Sequence, residues 1–466
     1  MNSEPYSQHV DESRPLHSAS QRHWLARLNP WLLIVSLVAF VSAFLYHFYF
    51  IRKYSVDIPY WDDWAMFGNG HLGRLDWSWL YQQANDHRTA TTKVFVWILY
   101  RLDGWNLRTH LILSFLIYVV CVVWLMWFAR KMAPKLPAWV ILSFGIFFMS
   151  PIIWIDFEIG YAVAVHWWLL FMLVAAYCMF REPQRWPILI LGSVASILSI
   201  YSFAAGVATA IVLLGGFSLF KGLRAFSEKD RTVRRRELLQ LIVVAVLIGG
   251  ALAVWIGGWQ RTPARLPWVL PYQRRFWTFF LNLVGFGFGI ERISSRWGLF
   301  CLLIVIVPVC WLIAKKRTEL TAGQWASVVL VLGLLADLTL ITLGRTEYGI
   351  WTAKFPHYAE HGMPLIILSV INWSFVLASR PRIKGLFIAA LWLFCLMSFR
   401  SNTDFTIYQK MYADKMEGKR CVQVYYETGR FYDGGGREQS GVDARCPSVF
   451  PWPASMAGIL EQAKRL

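Results

Sequence analysis

The sequence is short of charged residues. Only 16% of its 466 residues are charged, whereas soluble globular chains carry about 25%. Acidic residues are the scarcer kind, with 28 Asp and Glu against 46 Lys and Arg, and the net charge is +18. Seven cysteines are too few and too scattered for a disulfide framework. These shortages exclude a soluble enzyme, a disordered chain and a disulfide-rich scaffold.

Several common motifs are also missing. The chain has no GxGxxG, no P-loop GKS or GKT, no HExxH and no GxSxG. The glycines of GFGFG (285–289) lie in an apolar segment without a preceding strand, which is a poor setting for a phosphate loop. Neither a solenoid repeat nor the inverted halves typical of transporters are visible. No cofactor or metal is expected from these patterns.

Long apolar runs are abundant instead. Apolar residues make up 57% of the chain, and its mean hydropathy is +0.43. The run 31–50 is about 20 residues, long enough to cross a bilayer as a helix, and it lacks the small-residue exit of a cleaved signal peptide. The sequence predicts an all-α polytopic membrane protein with a module over 29–400 of about eleven helices, because spanning segments must satisfy their own backbone. The other ten are expected near 108–129, 138–156, 160–180, 187–203, 204–220, 238–258, 297–314, 324–343, 363–379 and 384–400.

Lys and Arg predict the orientation. Dense basic loops, such as RKMAPK, REPQR and KKRTE, alternate with longer and sparser ones. By the positive-inside rule the basic loops and the tail 1–28 are cytoplasmic, and the positive charge indicates topology and anionic lipid rather than nucleic acid. This requires that 276–290, short and rich in glycine, forms an interfacial or re-entrant helix. The outer segments are then 52–107, 259–296, 344–362 and the C-terminal 401–466.

The C-terminal segment holds Cys421 and Cys446, the only cysteines outside the predicted spans. In an oxidising compartment these two could pair as a disulfide. In a reducing compartment they would be two free thiols.

Asp62 and Asp63 stand between Trp61 and Trp64 in the first outer loop. Two adjacent carboxylates repel, and an apolar setting raises at least one pKa, which suits a general base that works near neutral pH. The alternative is a solvated acidic turn or a helix N-cap.

A basic segment follows in the same loop. Arg88 to Leu102 has the spacing of an amphipathic helix at the interface, which would put its cations at the level of lipid phosphates. The alternative is ordinary snorkelling of long cationic side chains. Asp86 is expected to orient its neighbours. The predicted phosphate-binding residues of this loop are His87, Arg88 and Lys93.

The third outer loop is the richest in ionisable groups. It predicts phosphate or sugar recognition, with zinc as a weak alternative and a plain interface loop as another. Its candidates are Arg345, Glu347, Lys354, His357 and Tyr358.

Two more segments carry candidates. The turn 156–160 is expected to expose Asp156 and Glu158 beside aromatic rings, as sugar-binding surfaces do, or to be only a pair of helix ends. Positive charge in the second outer loop runs against the topological bias, and an anionic acceptor or anionic lipid would explain it. Its candidates are Arg261, Arg265, Arg274 and Arg275.

The order of these features resembles the GT-C superfamily of integral-membrane glycosyltransferases. Its members have many helices and a long first outer loop with an acidic pair, then an interfacial helix with a basic residue. Asp62 and Asp63 match the pair and Lys93 the basic residue, while LGRTEYG and KFPHY resemble elements of bacterial members. The pair is usually Asp-Glu or Glu-Asp, and a His-Pro-Pro or Lys-Pro-Pro element is absent here, which leaves the subfamily open.

The resemblance implies sugar transfer from a polyprenyl-phosphate donor to a glycan or lipid acceptor, with inversion, on the periplasmic face of a bacterial inner membrane. Asp62 or Asp63 would be the base, and the cations would stabilise the leaving phosphate. A cytoplasmic polyprenyl-phosphate sugar synthase and a flippase would be pathway partners. Two alternatives remain open, an outer-face polymerase or ligase of lipid-linked glycan and a lipid or sugar transporter.

Overall fold

The computed structural model describes residues 17–70, 72, 75–84, 86–260, 267–316, 319–429, 431–432, 438–439 and 460. Helices dominate these residues, so the predicted all-α class is confirmed. The α-helices are α1 His17–Tyr54, α2 Trp77–Tyr81, α3 Ala90–Asp103, α4 Leu107–Met132, α5 Ala138–Gly145, α6 Val163–Met179, α7 Trp186–Ile200, α8 Ala205–Ser227, α9 Arg231–Gly257, α10 Arg274–Gly287, α11 Ser295–Lys316, α12 Ala322–Arg345, α13 His357–Gly362, α14 Pro364–Val376, α15 Pro381–Phe399 and α16 Thr406–Thr428.

Shorter elements connect them. The 3₁₀ helices are Trp61–Gly70, Ile146–Met149, Pro151–Phe157, Gly160–Ala162, Thr346–Tyr348 and Ile350–Lys354. The strands β1 Phe431–Tyr432 and β2 Glu438–Gln439 form an antiparallel pair after α16.

Local sequence explains several helix starts. Asn106 accepts from the N–H groups of Arg108 and Thr109 and so caps α4, and Asp230 caps α9 in the same way. At α12, Thr321 and Gln324 form a reciprocal capping box. Such side chains satisfy amide groups that a helix leaves unbonded in its first turn.

The membrane-spanning character of the chain is confirmed. Within the described residues eight helices are long and apolar enough to cross a membrane, or nine if the bent pair 138–149 and 151–157, with its 59° break, is one span. The predicted segments 187–203 and 363–379 are shorter than expected. Helix α7 has 15 residues, about 22 Å of rise, and α14 has 13, whereas the hydrocarbon core is about 30 Å thick.

The helix ends separate into two groups. At one end, which we call the basic-loop end, Arg224 pairs with Glu182, and Arg236 donates to the carbonyl of Gln184 at 2.7 Å. At the other, which we call the site end, the amide of Val269 donates to the carbonyl of Leu343 at 3.2 Å. Gln83 and Gln260 exchange hydrogen bonds there of 2.5 and 3.0 Å. Helix α8 therefore ends and α9 begins at the basic-loop end, while α9 and α12 end at the site end.

Helix α10 has both of its ends at the site end. Near its start Arg275 pairs with Glu347 at 2.7 Å, and beyond its last turn the carbonyl of Gly289 accepts from Asn402 at 2.8 Å. Helix α10 packs closely against α11 at Gly298. Only glycine fits there, because a Cβ would lie 1.9 Å from the carbonyl oxygen of Leu281. The chain from α9 to α11 thus leaves and re-enters the bundle at one end.

Helix α16 lies against the site end. The hydroxyl of Tyr408 is 2.6 Å from Nε2 of His47, in a buried contact with α1. Cys421 is bonded in a disulfide, while its predicted partner Cys446 lies outside the described residues. The other five cysteines are free thiols. The C-terminal segment is therefore anchored to the bundle by α16.

Candidate functional site

Asp63 is fixed by the backbone. Its carboxylate accepts from the N–H groups of Tyr161 at 2.6 Å, Gly160 at 3.1 Å and Tyr60 at 3.2 Å, and its side chain is 1% exposed. Burial raises the pKa of Asp63 to about 6, although these N–H groups and the charge of Lys415 oppose the shift. Asp63 therefore fastens the first outer loop to the turn that precedes α6.

Asp62 has a different environment. It is only half-buried, and it follows Trp61, whose φ of 50° is a strained value for a bulky residue. The ring of Trp61 stacks between Tyr60, at 5.5 Å between centroids, and Phe355, at 6.3 Å. The stack brings the third outer loop beside the acidic pair. Of the two carboxylates, Asp62 is the more accessible to a substrate.

Asp156 and Glu158 are buried, contrary to the expected exposed turn. They are 0% and 1% exposed. Oδ1 of Asp156 lies 2.7 Å from Nδ1 of His357, and Oε2 of Glu158 lies 2.6 Å from Nζ of Lys415. A carboxylate can be buried where it is paired. Both cationic partners come from segments about 200 or more residues away, so the turn alone could not indicate them.

The charged side chains of the third outer loop have different partners. Lys354 turns away from the acidic pair and donates to the carbonyls of Ile290 at 2.6 Å and Asn282 at 2.9 Å, and burial lowers its pKa to about 8. Glu347 forms an ion pair with Arg275. Tyr358 packs among the rings of Phe355, His357 and His361.

Arg345 keeps an uncommitted guanidinium. It lies 5.8 Å from the ring of Tyr348, is half-buried, and forms no hydrogen bond or ion pair with the described residues. It is close enough to His357 for its charge to act on the pKa of that imidazole. We call Asp62, Asp63, Asp156, Arg345 and His357 the site cluster.

Two cations of the first outer loop, Lys93 and Arg88, are buried in the protein. Lys93 is 3% exposed and donates to the carbonyls of Trp79 at 2.6 Å and Gln82 at 2.7 Å, and burial lowers its pKa to about 8. Arg88 is 2% exposed, lies 3.9 Å from the ring centre of Tyr81 and donates to its carbonyl at 2.5 Å. Both side chains therefore bind backbone carbonyls of their own loop and stabilise its conformation.

His87 and Asp86 form part of a tight turn. His87 exchanges backbone hydrogen bonds with Ala84, and its ring stacks on Phe203 at 4.1 Å. Its Nδ1 accepts from the amide of Ala204 at 3.3 Å, so Nδ1 carries no proton there. The carbonyl of Asp86 accepts from Trp259. Phe203 also contacts His357 at 5.8 Å, which joins His87 to the site cluster through one ring.

Two further His–carboxylate pairs lie deeper. His166 is 2.8 Å from Glu360, and His361 is 2.6 Å from Asp337, with all four side chains at most 1% exposed. Asp337 and His166 lie within the predicted segments 324–343 and 160–180, and neither is among the candidates that the sequence indicated. A histidine within a predicted span is itself a signal of function, and it could have been found that way.

A surface groove of about 710 Å³ lies between the start of α10 and the third outer loop. Arg274 is exposed there beside the paired Arg275. Arg261 and Arg265 lie outside the described residues. The lining residues are Gln273, Arg274, Arg275, Thr278, Thr346 and Ile350.

No three His, Cys, Asp or Glu side chains of the described residues come together as metal ligands would.

Comparisons with known proteins do not assign a function to the site cluster. No protein-family model matches the chain, and no curated protein matches it. The resemblance to the GT-C superfamily therefore rests on the sequence features alone.

Proposed function

We propose that the protein is an integral-membrane glycosyltransferase that moves a sugar from a polyprenyl-phosphate donor to a glycan or lipid acceptor, with inversion. The observation that carries the proposal is the different environment of two adjacent carboxylates at one end of a membrane bundle. Asp63 is buried and held by three N–H groups, whereas Asp62 is half-exposed. An uncommitted arginine lies in the same cluster.

Asp62 acts as the general base. It accepts the proton of the acceptor hydroxyl as the oxygen attacks the anomeric carbon. Asp63 is a positioning residue that holds the loop to Gly160 and Tyr161. Arg345 binds the phosphate of the donor, because a guanidinium matches phosphate oxygens in charge and geometry.

The setting is an inner membrane with the site end facing the periplasm. We propose eleven passes, with α7 and α14 counted as short spans and α10 as re-entrant, in a GT-C-like arrangement. The dense positive charge of the basic-loop end supports this orientation. A cytoplasmic synthase of the donor and a flippase would supply the substrate.

Donor cleavage tests the proposal. Purified protein in proteoliposomes is given labelled decaprenyl-phosphate glucose, mannose or arabinose with an envelope lipid and glycan extract, and release of decaprenyl phosphate is measured. Asp62→Asn should lower the rate by about two to four orders of magnitude. Asp230→Asn is the matched control, because Asn caps α9 as well as Asp does. Wild-type rates in Asp62→Asn would show that the mechanism is wrong.

A transporter of lipid or sugar is the second candidate. The buried pairs His166–Glu360 and His361–Asp337 favour it, because intramembrane ionisable groups often serve proton coupling. Movement of the same donors across the bilayer without acceptor, abolished by His361→Gln but not by Asp62→Asn, would support the transporter over the transferase.

A further inference from the structure

The Asp156–His357 pair has the arrangement of an acid–base dyad. Nδ1 of His357 donates to Oδ1 of Asp156 at 2.7 Å, and Asp156 is fully buried. A carboxylate in this position fixes the tautomer and the orientation of an imidazole. The opposite nitrogen, Nε2, has no hydrogen-bond partner among the described residues, and the side chain is 21% exposed. The dyad therefore presents one ring nitrogen outward.

Two rings flank the imidazole of His357, and the acidic pair and one cation lie nearby. Phe203 and His361 cover two sides of the ring at 5.8 and 5.5 Å. The next residues toward the N-terminus lead to Phe355, which stacks on Trp61 beside Asp62. Arg345 is near enough to act on His357 through its charge.

The charges around His357 favour its protonated form. Burial disfavours the imidazolium, but Asp156 outweighs it by charge and hydrogen bond and Glu360 adds to this, so the pKa of His357 lies above its ordinary value despite the opposing charge of Arg345. The neighbouring His361 is paired with Asp337. An imidazolium near neutral pH is able to give up a proton to a phosphate.

We propose that His357 is the general acid that protonates the departing phosphate, with Asp156 as its positioning residue. This rests on the proposed glycosyl transfer. The acceptor oxygen bonds to the anomeric carbon, and its proton passes to Asp62. The bond between that carbon and the phosphate oxygen breaks, and its electron pair stays on the oxygen. Nε2 of His357 gives its proton to that phosphate, and the two side chains then exchange protons with water.

The pH profile of donor cleavage tests the role of His357. In the wild-type protein the rate should fall above the pKa of His357, where the acid has lost its proton. His357→Gln should lower the rate by about 10- to 100-fold, at or below the low end of acid–base effects because a phosphate leaving group is already a weak base, and should remove this basic limb. Asp156→Asn should shift the limb to lower pH without removing it. A basic limb unchanged in His357→Gln would overturn the proposal.

Binding of decaprenyl monophosphate to protein in nanodiscs gives a readout that does not depend on turnover. As pH rises through the pKa of His357, wild-type affinity should fall about tenfold relative to that of His357→Gln. The second ionisation of the phosphate acts on both proteins and cancels in this ratio. Arg101→Ala, at an exposed arginine of α3, is the control for a lost surface charge. No binding to the wild-type protein at any pH would refute the proposed function itself. Binding with the same pH dependence in both proteins would refute only the role of His357. Melting temperatures confirm that the variants are folded.

Discussion

At the scale of residues, Asp62 and Asp63 show how neighbours acquire different roles. Asp63 is buried against three N–H groups, while Asp62 stays half-exposed. Gly160 permits this close packing, because a Cβ there would lie 3.3 Å from Oδ1 of Asp63 and 2.9 Å from the ring of His110. The sequence showed the pair but could not separate its members, because two of the three partners of Asp63, Gly160 and Tyr161, lie about 100 residues further along the chain.

Asp63 predicts a pH dependence of stability. Its pKa is raised from 3.8 to about 6, so between these values the native protein holds a proton that the unfolded chain has released. Its contribution to stability is therefore largest at the acid end and falls as pH rises through this range. The melting temperature in nanodiscs, followed by Trp fluorescence from pH 4 to 6, should fall more steeply for the wild type than for Asp63→Asn. Equal slopes would contradict the prediction.

The buried hydrogen bonds of Lys93 predict that its replacement lowers the stability of the protein and leaves phosphate binding unchanged. Lys93→Met keeps the aliphatic stem near Trp79 and removes the donor for two carbonyls, and leaving a buried acceptor unpaired costs about 1–3 kcal/mol. We expect a lower melting temperature. At temperatures well below the melting point, the affinity for decaprenyl phosphate should be unchanged. Lys410→Met, at an exposed site on α16, should change neither. Weaker binding without a stability loss would restore the role suggested by the sequence.

At the scale of elements, α16 is fixed by a buried cation. Nζ of Lys415 donates to both the carbonyl and the carboxylate of Glu158 at 2.6 Å and lies 5.2 Å from the ring centre of Tyr60. An amphipathic helix in a polar segment was not predicted to enter the core in this way. Its amphipathic pattern is local, whereas its docking depends on where Glu158 is held.

Removal of Lys415 should loosen α16. Lys415→Met leaves Glu158 charged and unpaired in the interior, and breaking one side of a buried pair costs about 3–5 kcal/mol. Hydrogen–deuterium exchange of α16 and of the turn 158–161 should rise. Lys415→Met with Glu158→Gln should recover much of the protection, because neither charge then remains buried. No change in exchange in the single variant would contradict the structure here.

At the scale of the whole molecule, the position of α10 decides the topology of everything after it. If 274–290 does not cross the membrane, Tyr272 and Arg292 lie on the same side, opposite to Phe226 at the basic-loop end. Tyr272 and Phe226 are 80% and 93% exposed, and Arg292 is also exposed.

Thiol labelling tests this arrangement. In a Cys310→Ser background, which removes the exposed free thiol, a membrane-impermeant maleimide added to spheroplasts should label Tyr272→Cys and Arg292→Cys. Phe226→Cys should react only after lysis. Labelling of Tyr272→Cys but not of Arg292→Cys would make α10 a span and reverse the sides of α12 to α16.

The sequence by itself determined the membrane class, the place of most helices and the loops that carry charge. These follow from hydropathy, helix caps and the density of Lys and Arg, which act over one helix or less. The tertiary structure decided which charges are available. Lys93, Arg88 and Lys354 donate to carbonyls, Asp156 pairs with His357, and Arg345 forms no hydrogen bond or ion pair within the described part of the chain. Such pairings depend on packing between segments far apart in the chain, and burial forces each charge either to find a partner or to remain at the surface.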